Sequence, residues 1–143
     1  MNRPPHVVLD TNVVISAMLW RGKPGQLFSL AGEGDIRLYS SAKLVAELAA
    51  TLAKPKLLRA VEATGLTPTT LVANYRQLVR LVRPKPIMTQ ISRDADDDHV
   101  LACALAARAG YLVSGDDDLL VLGHHQDVTI LTVDAVLNVL ANR

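Results

Sequence analysis

Fourteen carboxylates are available to this 143-residue chain, and half of them fall in one window from Asp94 to Asp118. Seven acids share that window with a single base, Arg108. Like charges this close disfavour one another's ionisation unless a cation holds them. The opposite imbalance comes just before: from Lys54 to Arg93, eight bases accompany one acid, Glu62. The net charge is only +1, so the separation carries more information than the sum. It suits a metal site beside an anion-binding surface. Carboxylates with water are ligands for Mg²⁺ or Mn²⁺ rather than zinc. No His/Cys spacing suggests zinc, and His124-His125 is expected in a polar loop without the usual ligand spacing. Neither His6 nor His99 has an evident partner. Cys103, inside the run Leu101-Ala102-Cys103-Ala104-Leu105, reads as a small core residue rather than a nucleophile.

The acids need elements that bring them together. Val7-Val8-Leu9 is a short apolar run of the kind that forms a buried parallel strand. Asp10 follows it, at the carboxyl end where open α/β sheets build their sites. Taken alone, Asp10 could equally be a turn or cap residue. Thr11 and Asn12 are good N-caps for a helix expected from Val13 to Leu19. Tyr111-Leu112-Val113 is a second such strand, running into Ser114-Gly115-Asp116, so Asp116 and Asp10 share one sheet edge. Asp117 or Asp118 is expected to cap the turn into Leu119-Leu120. Ser40 and Ser41 cap a helix through Leu52, whose apolar stripe is Leu44, Val45, Leu48 and Leu52. Glu47 projects about 60° outside that stripe, close enough to reach over the sheet end, although a helix-flank Glu is usually solvated. A helix over 97–109 buries Val100, Leu101 and Ala104. Asp97 lies on that face and Asp98 about 100° away from it. Asp97 is therefore the stronger site candidate, with N-capping as its plainer alternative.

The remaining elements alternate in type. A short helix is expected over 26–31 after the break Gly22-Lys23-Pro24-Gly25, and a strand over 36–39. A helical hairpin is expected over about 56–83, and a short strand over 87–91. The last strand falls at 128–131 and the last helix at 135–141. Alternation of this kind predicts a parallel sheet with helices on both faces, as one domain over residues 1–143. Only five residues are aromatic, so a base-stacking platform is not expected. Within the hairpin, Arg76, Arg80 and Arg83 are spaced i, i+4, i+7, as one helix face tracking an RNA backbone would require. A solvated face is the ordinary alternative for such a stripe. No signal-peptide core or membrane-length apolar run occurs, and a cytoplasmic protein is expected.

Four pieces of the chain, in order, resemble the PIN domains, specifically the bacterial and archaeal toxin-like PIN nucleases. They are Val8-Leu9-Asp10-Thr11-Asn12-Val13, Glu47 within Leu44 to Leu48, Arg93-Asp94-Ala95-Asp96-Asp97-Asp98 leading into Val100-Leu101-Ala102, and Tyr111 to Leu120. The resemblance implies a three-layer α/β/α sandwich with a mostly parallel sheet, and a metal-dependent endoribonuclease using Mg²⁺ or Mn²⁺. Asp10, Glu47, Asp97 and Asp116 would be its catalytic, metal-binding acids. Thr11, Asn12, Asp94, Asp98, Ser114 and Asp118 would support them. A toxin role, a cognate antitoxin and a homodimer are further implications. Ala95 stands where this group usually has Pro, and Ser114 replaces the more frequent Thr while keeping the hydroxyl.

Two other functions fit an acidic pocket on a parallel sheet. A haloacid-dehalogenase-like phosphatase needs a second Asp two residues after the first, and that position is Asn12. A non-catalytic phospho-receiver domain wants a Lys after a late strand, whereas Thr132-Val133-Asp134 follows 128–131. A PIN fold kept only for binding has no support, because all four acids are present.

Overall fold

The computed structural model describes residues 3–86, 90–92 and 97–143. The central strand is β1 (His6–Leu9), whose Val7 and Val8 are completely buried. A strand covered on both faces reads as a continuous apolar run, which is why Val7-Val8-Leu9 identifies it. Parallel partners flank it, β2 (Arg37–Ser41) on one side and β4 (Tyr111–Val113) on the other. With β3 (Val79–Val82), β5 (His124–His125) and β6 (Val128–Leu131), the sheet order is β3-β2-β1-β4-β6-β5. Among the described residues, only the β5–β6 pair is antiparallel.

Helices cover both faces. α1 (Thr11–Leu19), α2 (Gly22–Gly32), α5 (Pro68–Leu78) and α8 (Val133–Ala141) pack on the face carrying Val7, Leu9 and Val113. α6 (Asp98–Ala106) and α7 (Asp117–Leu120) pack on the face carrying Val8 and Leu112. α3 (Ala42–Leu52) serves both cores, burying Leu48 and Leu52 in the first and Leu44 in the second. The architecture is the three-layer α/β/α sandwich with a mostly parallel sheet. From β1 the chain crosses to β2 on one side, and from β4 it crosses to β6 on the other. β1 and β4 therefore bound the switch point, where open α/β sheets leave a crevice at the strand carboxyl ends.

Several boundaries differ from expectation. The helical hairpin comprises a 3-10 turn (Pro55–Leu57), α4 (Leu58–Ala63) and α5, and stops at Leu78. Val79 to Val82 is an edge strand paired with Leu38 to Ser41, not a continuation of the helix. Tertiary pairing decides a short apolar run that fits either period. α2 starts at Gly22, because Pro24 falls in a first turn whose N–H groups have no intrahelical acceptors to lose. His124 and His125 form β5 rather than a loop. α6 ends at Ala106, short of 109, and α8 begins at Val133 behind its Thr132 cap. Of the strand expected over 87–91, residues 87–89 lie outside the described residues, and Gln90 and Ile91 are not in a strand.

Candidate metal centre and active site

Both strand ends at the switch point lead into helices, and in both the helix is capped by an aspartate. Asp10 is itself the N-cap of α1, accepting from Thr11 N at 2.9 Å, so the helix begins earlier than the expected Thr11 or Asn12 cap would allow. Asp116 is the N-cap of α7, accepting from Asp118 N at 2.8 Å, the role expected of Asp117 or Asp118. An extended residue with a short acceptor side chain suits this position, since it satisfies one of the orphan N–H groups of the first turn.

Ser114 joins the two turns. Its fully buried hydroxyl donates to Asp10 Oδ2 at 2.8 Å and accepts from Asp116 N at 2.9 Å. The backbone joins them as well, Asp10 N donating to Val113 O at 2.9 Å. Burial raises the Asp10 carboxyl above its ordinary range. Ser114 Oγ and the Thr11 N–H oppose that shift, and the charge of Asp116 adds to it. A desolvated carboxylate beside a second one gains from a cation.

Asp97 and Asp98 separate into different roles. Asp98 accepts from Ile91 N at 3.0 Å on one oxygen and from Ser92 N at 2.9 Å on the other. It straps the 90–92 segment to the start of α6. Asp97 carries no capping bond and accepts from Ser92 Oγ at 3.3 Å. Its carboxylate joins those of Asp116 and Asp118, with ligand oxygens within 4.8 Å of one another. Octahedral Mg²⁺ at ~2.1 Å from its ligands sets their oxygens about 3–4 Å apart, so modest side-chain rotation would close the group on a cation. The oxygen-only donor set matches Mg²⁺ or Mn²⁺.

Glu47, half-buried on α3, lines a cavity of about 420 Å³ together with Asp10, Thr11, Asn12 and Asp97. Asp97 thus belongs both to this cavity and to the three-acid group. Asp118, expected only as a supporter, stands in the group itself. Asp94 lies outside the described residues. The arginine stripe does not form. Arg76 is on α5, Arg80 on β3 and Arg83 in the segment beyond it, so the three share no helix face. Sequence reasoning missed buried Ser92, whose only sequence signal is a hydroxyl in an aperiodic segment. It also missed Lys43, Lys54 and His99, which line the cavity with the acids.

A family model described as PIN domain matches residues 6–118. This chain belongs to the PIN-domain family. The match spans every acid at the switch point, from Asp10 to Asp118. PIN domains are nucleases, and the clustered carboxylates of this one fit the divalent cation on which such enzymes depend. No curated protein matches the chain at a significant level. Among the described residues, no helix is long and apolar enough to cross a membrane.

Proposed function

We propose that this PIN domain is an Mg²⁺- or Mn²⁺-dependent endoribonuclease whose cation is held by Asp10, Glu47, Asp97 and Asp116, with Asp118 alongside. The observation that carries this reading is the Asp97–Asp116–Asp118 group beside an Asp10 tied to Asp116 through Ser114. When bound, the cation supplies positive charge against the scissile phosphate and lowers the pKa of its water. The chain's own part is to fix the carboxylates. Ser114 and Thr11 hold both oxygens of Asp10, leaving its remaining lone pairs for the cation. Asp116 is held from its own N–H and through the cap it gives Asp118. A protein nucleophile is not needed. The one thiol, Cys103, is buried and its pKa is pushed up to about 12 by desolvation, so it stays protonated at neutral pH.

Cleavage of a labelled single-stranded RNA tests the proposal, comparing wild type with Asp10→Asn purified identically, in Mg²⁺, Mn²⁺ or EDTA. Cleavage is expected from the wild type alone and only with metal. Equal activity in both preparations indicates a contaminant, and inactivity of both across metals and substrates rejects the nuclease. The phosphatase and phospho-receiver readings have less support, because the motif positions they need are Asn12 and Thr132-Val133-Asp134.

The toxin-like set of motifs supports a more specific role, the toxin of a toxin–antitoxin pair acting in the cytoplasm as a homodimer and blocked by its cognate antitoxin. Growth arrest on expression, absent for Asp10→Asn and relieved by a co-expressed neighbouring gene, is the expected outcome. Arrest by Asp10→Asn as well would reject that role. The six strands among the described residues lie in one sheet, which supports a single domain over residues 1–143.

A further inference from the structure

A cavity of about 730 Å³ lies outside the acid cluster. It lies between the start of α3, the start of α6 and the segment 83–86 that follows β3. Its volume is within the roughly 300–1,000 Å³ of small-ligand and nucleotide sites. Lys43, Arg83, Lys85 and His99 line it, with Val82 and Pro84 among its apolar walls. The Lys43, Arg83 and Lys85 side chains are exposed, and none has a carboxylate within ion-pair distance among the described residues. Asp98, the carboxylate among the described lining residues, has both oxygens occupied by backbone N–H groups. The helix starts that border it add a positive dipole end on two sides.

Lys43 and His99 also line the acid cavity that holds Asp10, Glu47 and Asp97. The two cavities are therefore neighbours with a common wall. Cationic rim, apolar walls and a wall shared with the acid cavity are what a nucleotide next to a scissile phosphate requires. The phosphate needs charge and the base needs a dry wall. A duplex could not place one nucleotide in so confined a space without unpairing it, whereas a single strand can.

We infer that this cavity is the subsite for a nucleotide of single-stranded RNA adjoining the cleaved bond, with Arg83 and Lys85 holding its phosphate and Lys43 and His99 marking the passage to the acids. The inference rests on the nuclease reading above, and it assigns to Arg83 alone a part of what the expected arginine stripe would have done. Arg76 and Arg80 line neither cavity.

Fluorescence anisotropy of a labelled eight-nucleotide single-stranded RNA in EDTA separates binding from cleavage. The Arg83→Ala/Lys85→Ala double variant is expected to weaken binding about tenfold or more at 0.1 M salt. The slope of log K against log salt should become shallower by about 0.7 for each phosphate that the variant no longer neutralises. Arg83→Lys/Lys85→Arg should restore most of both. Lys56→Ala/Arg59→Ala removes the same charge elsewhere and should stay within twofold of wild type. In Mg²⁺, the double variant should raise KM with little change in kcat. Wild-type binding by the double variant, or equal weakening by the control pair, overturns the inference. RNA binding with the expected residue dependence but no cleavage supports the subsite and rejects the nuclease. Absence of RNA binding by the wild type rejects the subsite.

Discussion

The two strand-to-helix turns at the switch point use the same cap chemistry to different ends. At β1 the acid follows the strand at once, and Asp10 is desolvated and gripped on both oxygens by Thr11 N and Ser114 Oγ. At β4 two residues intervene, and the Asp116 carboxylate meets Asp97 and Asp118. Ser114 holds the carboxylate of Asp10 but only the backbone N–H of Asp116. The lesson is that one buried hydroxyl can couple the more rigid carboxylate, held on both oxygens, to a neighbour that faces other acids.

Removing the rigid member should break the pair most severely. Asp10→Asn keeps the cap geometry but removes the charge, and metal-dependent RNA cleavage is expected to fall at least about a thousandfold in single-turnover assays. Loss of the coupling hydroxyl should cost less. Ser114→Ala is expected to lower metal affinity or activity about 10–100-fold, as removal of a ligand's supporting hydrogen bond typically does. Ser114→Thr, which keeps the hydroxyl, should retain most of it, and titration with Mn²⁺ distinguishes the two variants.

Asp98 sharpens the contrast from outside the pair. Asp98→Ala leaves two backbone N–H groups without their acceptor, at a cost of about 1–3 kcal/mol. A lowered Tm with Mn²⁺ binding preserved in the folded fraction is expected, the reverse of Asp97→Asn. Equal loss of metal binding in both would place the two acids in one role.

The smallest expected effect is on pH dependence. The folded-state pKa of Asp10 is raised above its unfolded value of about 3.9. The native state therefore holds the proton more tightly. Its contribution to stability is complete below that unfolded value and is lost as pH rises through the folded one. Metal-free wild type should lose stability relative to Asp10→Asn as pH rises from about 4, and a bound divalent cation should flatten the difference. Parallel Tm–pH curves for the two proteins without metal would contradict the burial of Asp10.

Much of the fold is legible in the chain itself. Val7 to Leu9 and Tyr111 to Val113 are runs of the kind a doubly covered strand accommodates, and an acid after each points to one sheet edge. Helical periodicity sets Asp98 off the buried face, yet both acids are buried, and it is the hydrogen bonds to Asp98 that separate its role from that of Asp97. Local spacing fails where long-range pairing decides. Arg76, Arg80 and Arg83 have helical spacing, yet Val79 to Val82 gains more by pairing with β2 than by extending α5. Asp10 and Asp116 are both capable caps, but cap preference ranks Asp, Asn, Ser and Thr too closely to choose among neighbours. Ser92, Lys43 and His99 reach the site through the fold, from positions whose local sequence carries no signature.

The most direct test of the central claim is Mn²⁺ binding, followed by electron paramagnetic resonance, in wild type, Asp10→Asn and Asp116→Asn. If the two turns serve one cation, each substitution alone should weaken binding by an order of magnitude or more while circular dichroism stays native. Wild-type affinity in either folded variant would contradict a shared site.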